Sequence, residues 1–353
     1  MALAVQELVA EAGSKLDSGI VEERCEALQA IASSGESGKV YFDKILKIAS
    51  ESSIFAEQRG ALDALASTSA GKETQAISVL SQNLSSTHPA VRSAAARGLG
   101  VLKADTCVAK LGALLTDQQM LVRSAALEAL AAVGPKATSE VQAVAANLKA
   151  PLLRGEALKA LGSMGKDGAA HADEIAAFLE DSDSNVRLAV AQAFGELRDF
   201  LPDHIVDQVG TLLGHQSDRF RATAALTIGQ LGMAKAGKYV DKLVRMLREN
   251  MANQNRALLA PNCAAAIALG DLGVKGEQVA AYLNSKNPDM RAAACQGLAK
   301  MGKAGIEHAS AISLLLEDEV VWPAALSALE NLQGAGSLDS SVVKMITDAK
   351  AKS

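Results

Sequence analysis

Apolar and polar positions alternate along this chain with a helical period, and the alternation itself recurs. In the stretch 121–134, LVRSAALEALAAVG, residues Val122, Ala126, Leu127, Leu130 and Val133 fall on one helix face while Ser124 and Glu128 point elsewhere. Gly134 supplies the residue that commonly ends a helix, and Pro135 blocks continuation. With Arg123 as the zero position, the pattern returns at Arg24, Gln58, Arg92, Arg154, Arg187, Arg221, Asn262, Arg291 and Trp322, ten copies mostly 31 to 34 residues apart. Plus three is small every time: Ala27, Ala61, Ala95, Ala126, Ala157, Val190, Ala224, Ala265, Ala294 and Ala325. Plus seven is always large and apolar, from Ile31, Leu65, Leu99, Leu130 and Leu161 to Phe194, Ile228, Leu269, Leu298 and Leu329. A period of this length predicts stacked helix pairs, each burying its apolar face only against its neighbours.

Each inner helix of a pair is expected to follow an outer one. The apolar spacing places the first outer helix over 3–16 and later ones near 41–49, 74–84, 106–115, 139–148, 172–179, 203–213, 238–250, 277–283 and 308–316. Between the helices of a pair, His88-Pro89 and Asn287-Pro288 read as extended or turn dipeptides, and Asp181-Ser-Asp-Ser offers helix caps. Gly recurs at plus eleven as Gly35, Gly134, Gly165, Gly232, Gly273 and Gly302, a shared device for ending inner helices. The stretch 339–349 looks like an outer helix without an inner partner, a C-terminal cap. The expected architecture is all-α, about ten helix pairs in one elongated domain spanning 1–353.

Composition agrees with helices packed closely together. Hydrophobic residues make up 49% of the 353 positions but aromatics only 3%, so Ala, Leu, Val and Ile must build the core. A net charge of −5 and a pI near 5.7 argue against a nucleic-acid partner, which would call for a basic face. Cys25, Cys107, Cys263 and Cys295 are scattered without metal-ligand spacing, which fits buried apolar use in a reducing compartment. The N-terminus carries Glu7 and Glu11 and reads as a folded helix, unlike a signal or transit peptide. An intracellular site is therefore expected, either the cytoplasm or an organelle interior after removal of a leader.

The segments HPAVRSAAARGLGVL, DSNVRLAVAQAFGEL and NPDMRAAACQGLAKMG resemble HEAT repeats, particularly the short HEAT-like repeats also seen in bilin lyases. The resemblance covers nearly the whole chain. It implies a right-handed α-solenoid of armadillo type whose inner helices line a concave face. It also implies a structural ladder of Arg92, Arg123, Arg154, Arg187, Arg221 and Arg291, paired with acidic groups such as Asp117, Asp183 and Asp218. Deoxyhypusine hydroxylase, a HEAT-repeat metalloenzyme, holds iron with His-Glu dipeptides, and this chain contains none.

Candidate chemistry is sparse. His171 and His204 belong to adjacent repeats, roughly 10 Å apart at ordinary helix spacing, too far to share one ion. No phosphate-loop or nucleophile signature occurs, so neither a catalytic set, a metal nor a cofactor is expected. Three surface features remain. Lys238, Lys242 and Arg245 form a basic stripe that either docks an acidic protein or lipid surface, or is an ordinary solvated face. At plus one and plus five of the middle inner helices stand Leu188, Ala222, Leu226, Cys263 and Ile267; they form an apolar binding strip if they face the groove, and only core if they face the next repeat. The interval from Arg221 to Asn262 is 41 residues, which places an insertion near 249–259 whose Asn253 and Arg256 either touch a partner or belong to a neutral loop.

These features lead to a non-enzymatic scaffold or assembly subunit, part of a larger complex, that binds protein through its concave face and the insertion. A bilin lyase or pigment-protein assembly chaperone is the alternative that the family resemblance keeps open, although aromatics to enclose a tetrapyrrole are few. No apolar run has the length of a membrane span, so membrane association is expected only through a partner or the Lys238, Lys242 and Arg245 stripe.

Overall fold

The computed structural model describes residues 2–249 and 260–352. Among these residues every regular element is helical, and they include ten inner helices at the places the repeat assigns. They fall into two compact units, Met1–His171 and Ala172–Ser353. In the first unit the inner helices are Val21–Ser33, Phe55–Thr68, Pro89–Val101, Met120–Val133 and Arg154–Ser163. In the second they are Ser184–Leu197, Asp218–Ala236, Pro261–Asp271, Pro288–Lys300 and Trp322–Ala335.

Burial confirms the register. Every plus-three and every plus-seven residue is at most 2% exposed. The small plus-three residue lets successive inner helices approach, and the large plus-seven residue fills the space left between layers. Ala126 is fully buried while Glu128, two residues on, is exposed. Ala126→Leu is therefore expected to overfill this interface and cost about 1–3 kcal/mol, with Glu128→Leu close to neutral. Thermal melts of both variants measure the contrast, and equal losses would refute the register.

A third repeated position lies at plus eight, where Ala32, Ala66, Gly100, Ala131, Gly162, Gly195, Gly229, Gly270 and Ala299 occupy nine of the ten repeats. At Gly270 the helix Pro261–Asp271 approaches Pro288–Lys300 so closely that an added Cβ would stand 2.1 Å from the Gly297 carbonyl oxygen. Inner helices thus touch backbone to backbone, which a larger residue would forbid.

The outer layer departs from expectation. Outer helices Phe42–Glu51, Glu73–Asn83 and Asp203–Leu212 nearly fill their predicted spans, but the segment expected over 106–115 is a short helix, Val108–Ala113, between the 3-10 turns Asp105–Cys107 and Leu114–Thr116. The 139–148 and 308–316 segments are broken in the same way, around Val141–Ala146 and Ala309–Ser313. Tightening the terminal turns gives end groups a partner three residues away, as where the Asp117 N–H donates to the Leu114 carbonyl at 3.0 Å. Apolar spacing cannot distinguish this from one continuous helix, because Leu111, Leu114 and Leu115 are buried either way. Ser340–Lys352 closes the described chain by packing on the last pair, where a C-terminal cap was expected.

Turn chemistry follows the sequence closely. Asp183 accepts the Asn185 N–H at 2.8 Å and Asn287 that of Asp289 at 2.9 Å, each capping the helix it precedes. All six plus-eleven glycines have positive φ. At Gly134 and Gly232, ψ is −134° and 168°, a combination in the region essentially reserved for glycine rather than the left-handed helical well. In the third repeat the equivalent residue is Lys103, held at φ 47°. Lys103→Gly should remove that strain and raise stability by about 1 kcal/mol, visible as a higher denaturant midpoint at unchanged slope.

Candidate functional site

The anchor arginines form a ladder within each unit. Each reaches back six residues with Nη1 to a carbonyl of its own turn: Arg92 to Ser86 at 2.8 Å, Arg123 to Asp117 at 2.7 Å, Arg187 to Asp181 at 2.7 Å, Arg221 to His215 at 3.3 Å and Arg291 to Ser285 at 2.8 Å. Arg154 makes the same reach with Nε, to Leu148 at 3.1 Å. In several repeats the other edge of the guanidinium ties to the following repeat. Arg92 grips both Asp117 oxygens at 2.8 and 2.9 Å, Arg221 meets Glu249 at 3.0 Å and Arg291 meets Asp318 at 2.6 Å. Arg24, in the first repeat, does the same with Glu57. Of the expected acidic partners, Asp117 serves the preceding repeat's arginine, Asp218 lies 3.0 Å from Arg221, and Asp183 caps a helix. Arg187 is buried over the Phe220 ring at 5.7 Å and donates to Thr223 at 3.2 Å; burial, then the Arg219 charge, lowers its proton affinity. These bonds join turns and neighbouring repeats, so the guanidinium groups are structural ties.

A second ladder runs along the outer layer and absorbs the basic stripe. Lys238 pairs with Asp207 of the preceding outer helix at 2.5 Å, and Tyr239 donates its hydroxyl to the same carboxylate at 2.7 Å. The Asp207 hydrogen bond raises the Lys238 pKa, while Lys238 and then Tyr239 hold Asp207 below the usual carboxylate value. Lys242 donates to the Gly210 carbonyl at 3.3 Å, and both lysines lie 5.4 Å from the Tyr239 ring centre. Among the described residues, Arg245 stands exposed without such a tie. Equivalent pairs recur as Lys72–Asp43 at 2.6 Å, Lys136–Asp105 at 2.6 Å and His204–Asp173 at 2.9 Å. The stripe is thus mostly a set of links between repeats rather than a free docking surface. A legible signal existed: an acidic residue early in an outer segment, answered about one repeat later by Lys or His.

The apolar strip divides. Ala222, Cys263 and Ile267 are buried, so they belong to the core between inner helices, while Leu226 is half-buried and Leu188 is exposed. No continuous strip therefore opens through these five residues. Helix Pro261–Asp271 is buried at every residue from Pro261 to Gly270, the signature of a helix covered all round. Burial pushes the Cys263 thiol up to about 11 and that of Cys295 to about 12, leaving both as packed, unreactive side chains. Asn253 and Arg256 lie outside the described residues.

What stays open on the inner helices is a mixed polar and apolar face. In the first unit it presents Arg59, Asp63, Arg97, Glu128 and Lys159. Arg97 bonds Asp63 at 3.0 Å and Ser93 at 2.8 Å, linking two neighbouring inner helices. A shallow groove of about 240 Å³ lies between Pro89–Val101 and Met120–Val133, lined by Arg97, Gly100, Val101, Glu128, Ala129 and Ala132. Its floor exists because Gly100 brings the two helices into backbone contact at Ala129. Charged walls over a small-residue floor can seat a polypeptide, with ion pairs at its rim. Among the described residues no helix is long and apolar enough to cross a membrane.

Stacked helix pairs joined by repeated ladders define an all-α solenoid. A sequence profile of HEAT repeats matches residues 42–131, 77–162 and 172–260, and the chain belongs to the HEAT-repeat family. No curated protein sequence matches it. Among solved structures it is similar to Kap95p, from a study of Kap95p binding to RanGDP, with 15% identity and a TM-score of 0.53 over 97% of this chain and 54% of that one. It thus spans about half the length of that neighbour. An engineered protein matches over 98% of this chain and 92% of its own, at 19% identity and a TM-score of 0.40.

Proposed function

We propose that this protein is a non-enzymatic scaffold, a subunit of a larger assembly, that holds a protein partner on the exposed face of its inner helices. The observation that carries this reading is how the charged side chains are used. Most anchor arginines and the outer lysines are engaged in ties between repeats, while Arg59, Glu128 and Lys159 on the inner helices of the first unit remain exposed, Glu128 on the wall of the groove. A solenoid offers extended surface of this kind at little cost to its core, since each repeat needs only its neighbours. The fold it shares with Kap95p is one on which a protein, RanGDP, is bound. Free thiols with three of the four buried favour a reducing compartment, and we place the protein there.

The test is the mass and composition of the particle in which the protein travels when isolated from its source, followed by the same measurement with Arg59→Glu, Glu128→Lys and Lys159→Glu combined. A particle of fixed stoichiometry from which the triple variant drops out, with helicity and melting unchanged, is the expected result. Retention of the variant would overturn the proposed face. A lone 36.4 kDa chain would overturn constitutive assembly, and a tetrapyrrole absorption band travelling with it would favour pigment handling instead.

A further inference from the structure

The edge of the first unit where outer helices turn into inner ones carries a row of large apolar side chains that the repeat does not require. Ile20 is 53% exposed, Phe55 46%, Met120 45%, Leu121 46% and Leu152 74%. All lie two to four residues before an anchor, so equivalent turns place them along one edge of successive repeats. The third repeat joins the row through His88, whose ring stacks on Phe55 with centroids 4.5 Å apart. At the same place in the second unit Val320 is 67% exposed before Trp322, while the turns before Arg187, Arg221 and Arg291 expose polar residues instead: Asp183 and Ser184, Asp218 and Arg219, and Asp289. The turns thus fold equally well without apolar heads, and in the first unit five of them are kept in water.

Charge along the edge has a direction. Residues 1–71 contain eleven Asp and Glu against six Lys and Arg, a net −5 that equals the charge of the whole chain and leaves the remaining residues balanced. On the edge itself, Glu22 stands exposed beside Ile20 and Glu51 exposed just before Phe55, neither in an ion pair among the described residues. Asp17 nearby is engaged by Lys44.

Spacing selects the occupant. Neighbouring inner helices lie about 10 Å apart, and seven residues of α-helix rise about 10.5 Å, so a helix with an apolar residue every seven positions meets one head per repeat on a single face. An extended chain covers about 10 Å in three residues, and an odd step sends successive side chains to opposite faces. We propose that this edge binds one amphipathic α-helix of a partner protein, apolar every seventh residue, with its basic end over Glu22 and Glu51. Four intervals of about 10 Å correspond to roughly 28 residues of such a helix. This surface is separate from the inner-helix face, so either can fail alone.

The experiment titrates the full chain into a fluorescein-labelled 28-residue peptide with leucine at every seventh position and flanking apolar residues, its first half rich in lysine, and follows anisotropy and peptide circular dichroism. Binding with a rise in peptide helicity is expected. Affinity should fall at least tenfold when the peptide is scrambled at constant composition, when its lysines become glutamates, in Phe55→Asp/Leu152→Asp, and in Glu22→Lys/Glu51→Lys, whereas Arg97→Glu/Glu128→Lys should bind normally. Melting temperatures establish that each variant is folded, and Leu152→Asp, the most exposed position, serves alone if the double variant is not. Absence of binding, equal binding of the scrambled peptide, or equal binding by the edge variants would overturn the proposal. So would a sedimentation dimer abolished by Leu152→Asp, which would make a second copy of the chain the occupant.

Discussion

Gly270→Ala is expected to lower stability by about 3 kcal/mol, the upper end of the usual cost of overfilling a core. The added Cβ would stand 2.1 Å from the Gly297 carbonyl oxygen, and the reciprocal substitution at Gly297 would put one 2.4 Å from the Ala266 carbonyl oxygen. Both obstacles are backbone, so relief demands that two helices separate, and this helix is buried from Pro261 to Gly270 and packed on inner helices at both sides. Gly155→Ala supplies the control. Nothing beyond its own helix backbone lies within 4 Å of its added Cβ, and loss of backbone freedom in the unfolded chain should make it stabilising by about 0.4–1 kcal/mol. Denaturant unfolding of the two variants measures the contrast; a mild Gly270→Ala would mean that the inner helices do not meet at backbone contact.

Asp117→Ala should cost about 2–3 kcal/mol, because one residue joins two adjacent repeats. Its carboxylate takes both Arg92 bonds and the Gln119 N–H at 2.9 Å, while its carbonyl takes Arg123. Burial pushes this carboxyl upward, but Arg92, the Gln119 N–H and Arg123 together outweigh it and leave the folded pKa depressed. A depressed folded pKa means that the contribution is complete above the unfolded value of about 3.9 and is lost as pH falls through the folded one. The difference in unfolding free energy between wild type and Asp117→Ala should therefore be constant at neutral pH and shrink only below about pH 4. A difference that persists undiminished at pH 2 would assign the stabilisation to something other than the ionised pair.

The family and the fold were readable because the repeat writes itself in residue size. A small plus-three and a large plus-seven residue in all ten copies admit one helical register, and burial agrees at each of those twenty positions. The plus-eleven glycines were legible for a similar local reason, since positive φ excludes most side chains. Site residues were less legible. Ala222, Cys263 and Ile267 share plus-one and plus-five with exposed Leu188 and half-buried Leu226, so position in the repeat did not decide exposure. For the basic stripe, the carboxylate that answers Lys238 sits one repeat earlier, 31 residues away, beyond the reach of a pattern read within one repeat.

By itself the sequence determined that this is a HEAT-type stack of ten helix pairs, where each inner helix lies, which face it buries and where its turns fall. Those properties depend on residues close in the chain, whose side-chain size and backbone freedom act through the helical period. Only the tertiary structure decided which charges are already paired, how closely inner helices approach at Gly270, and which apolar side chains remain in water at Ile20, Phe55, Met120, Leu121 and Leu152. Those depend on what the adjacent repeat brings to each residue, and a pattern read within one repeat does not contain its neighbour's coordinates.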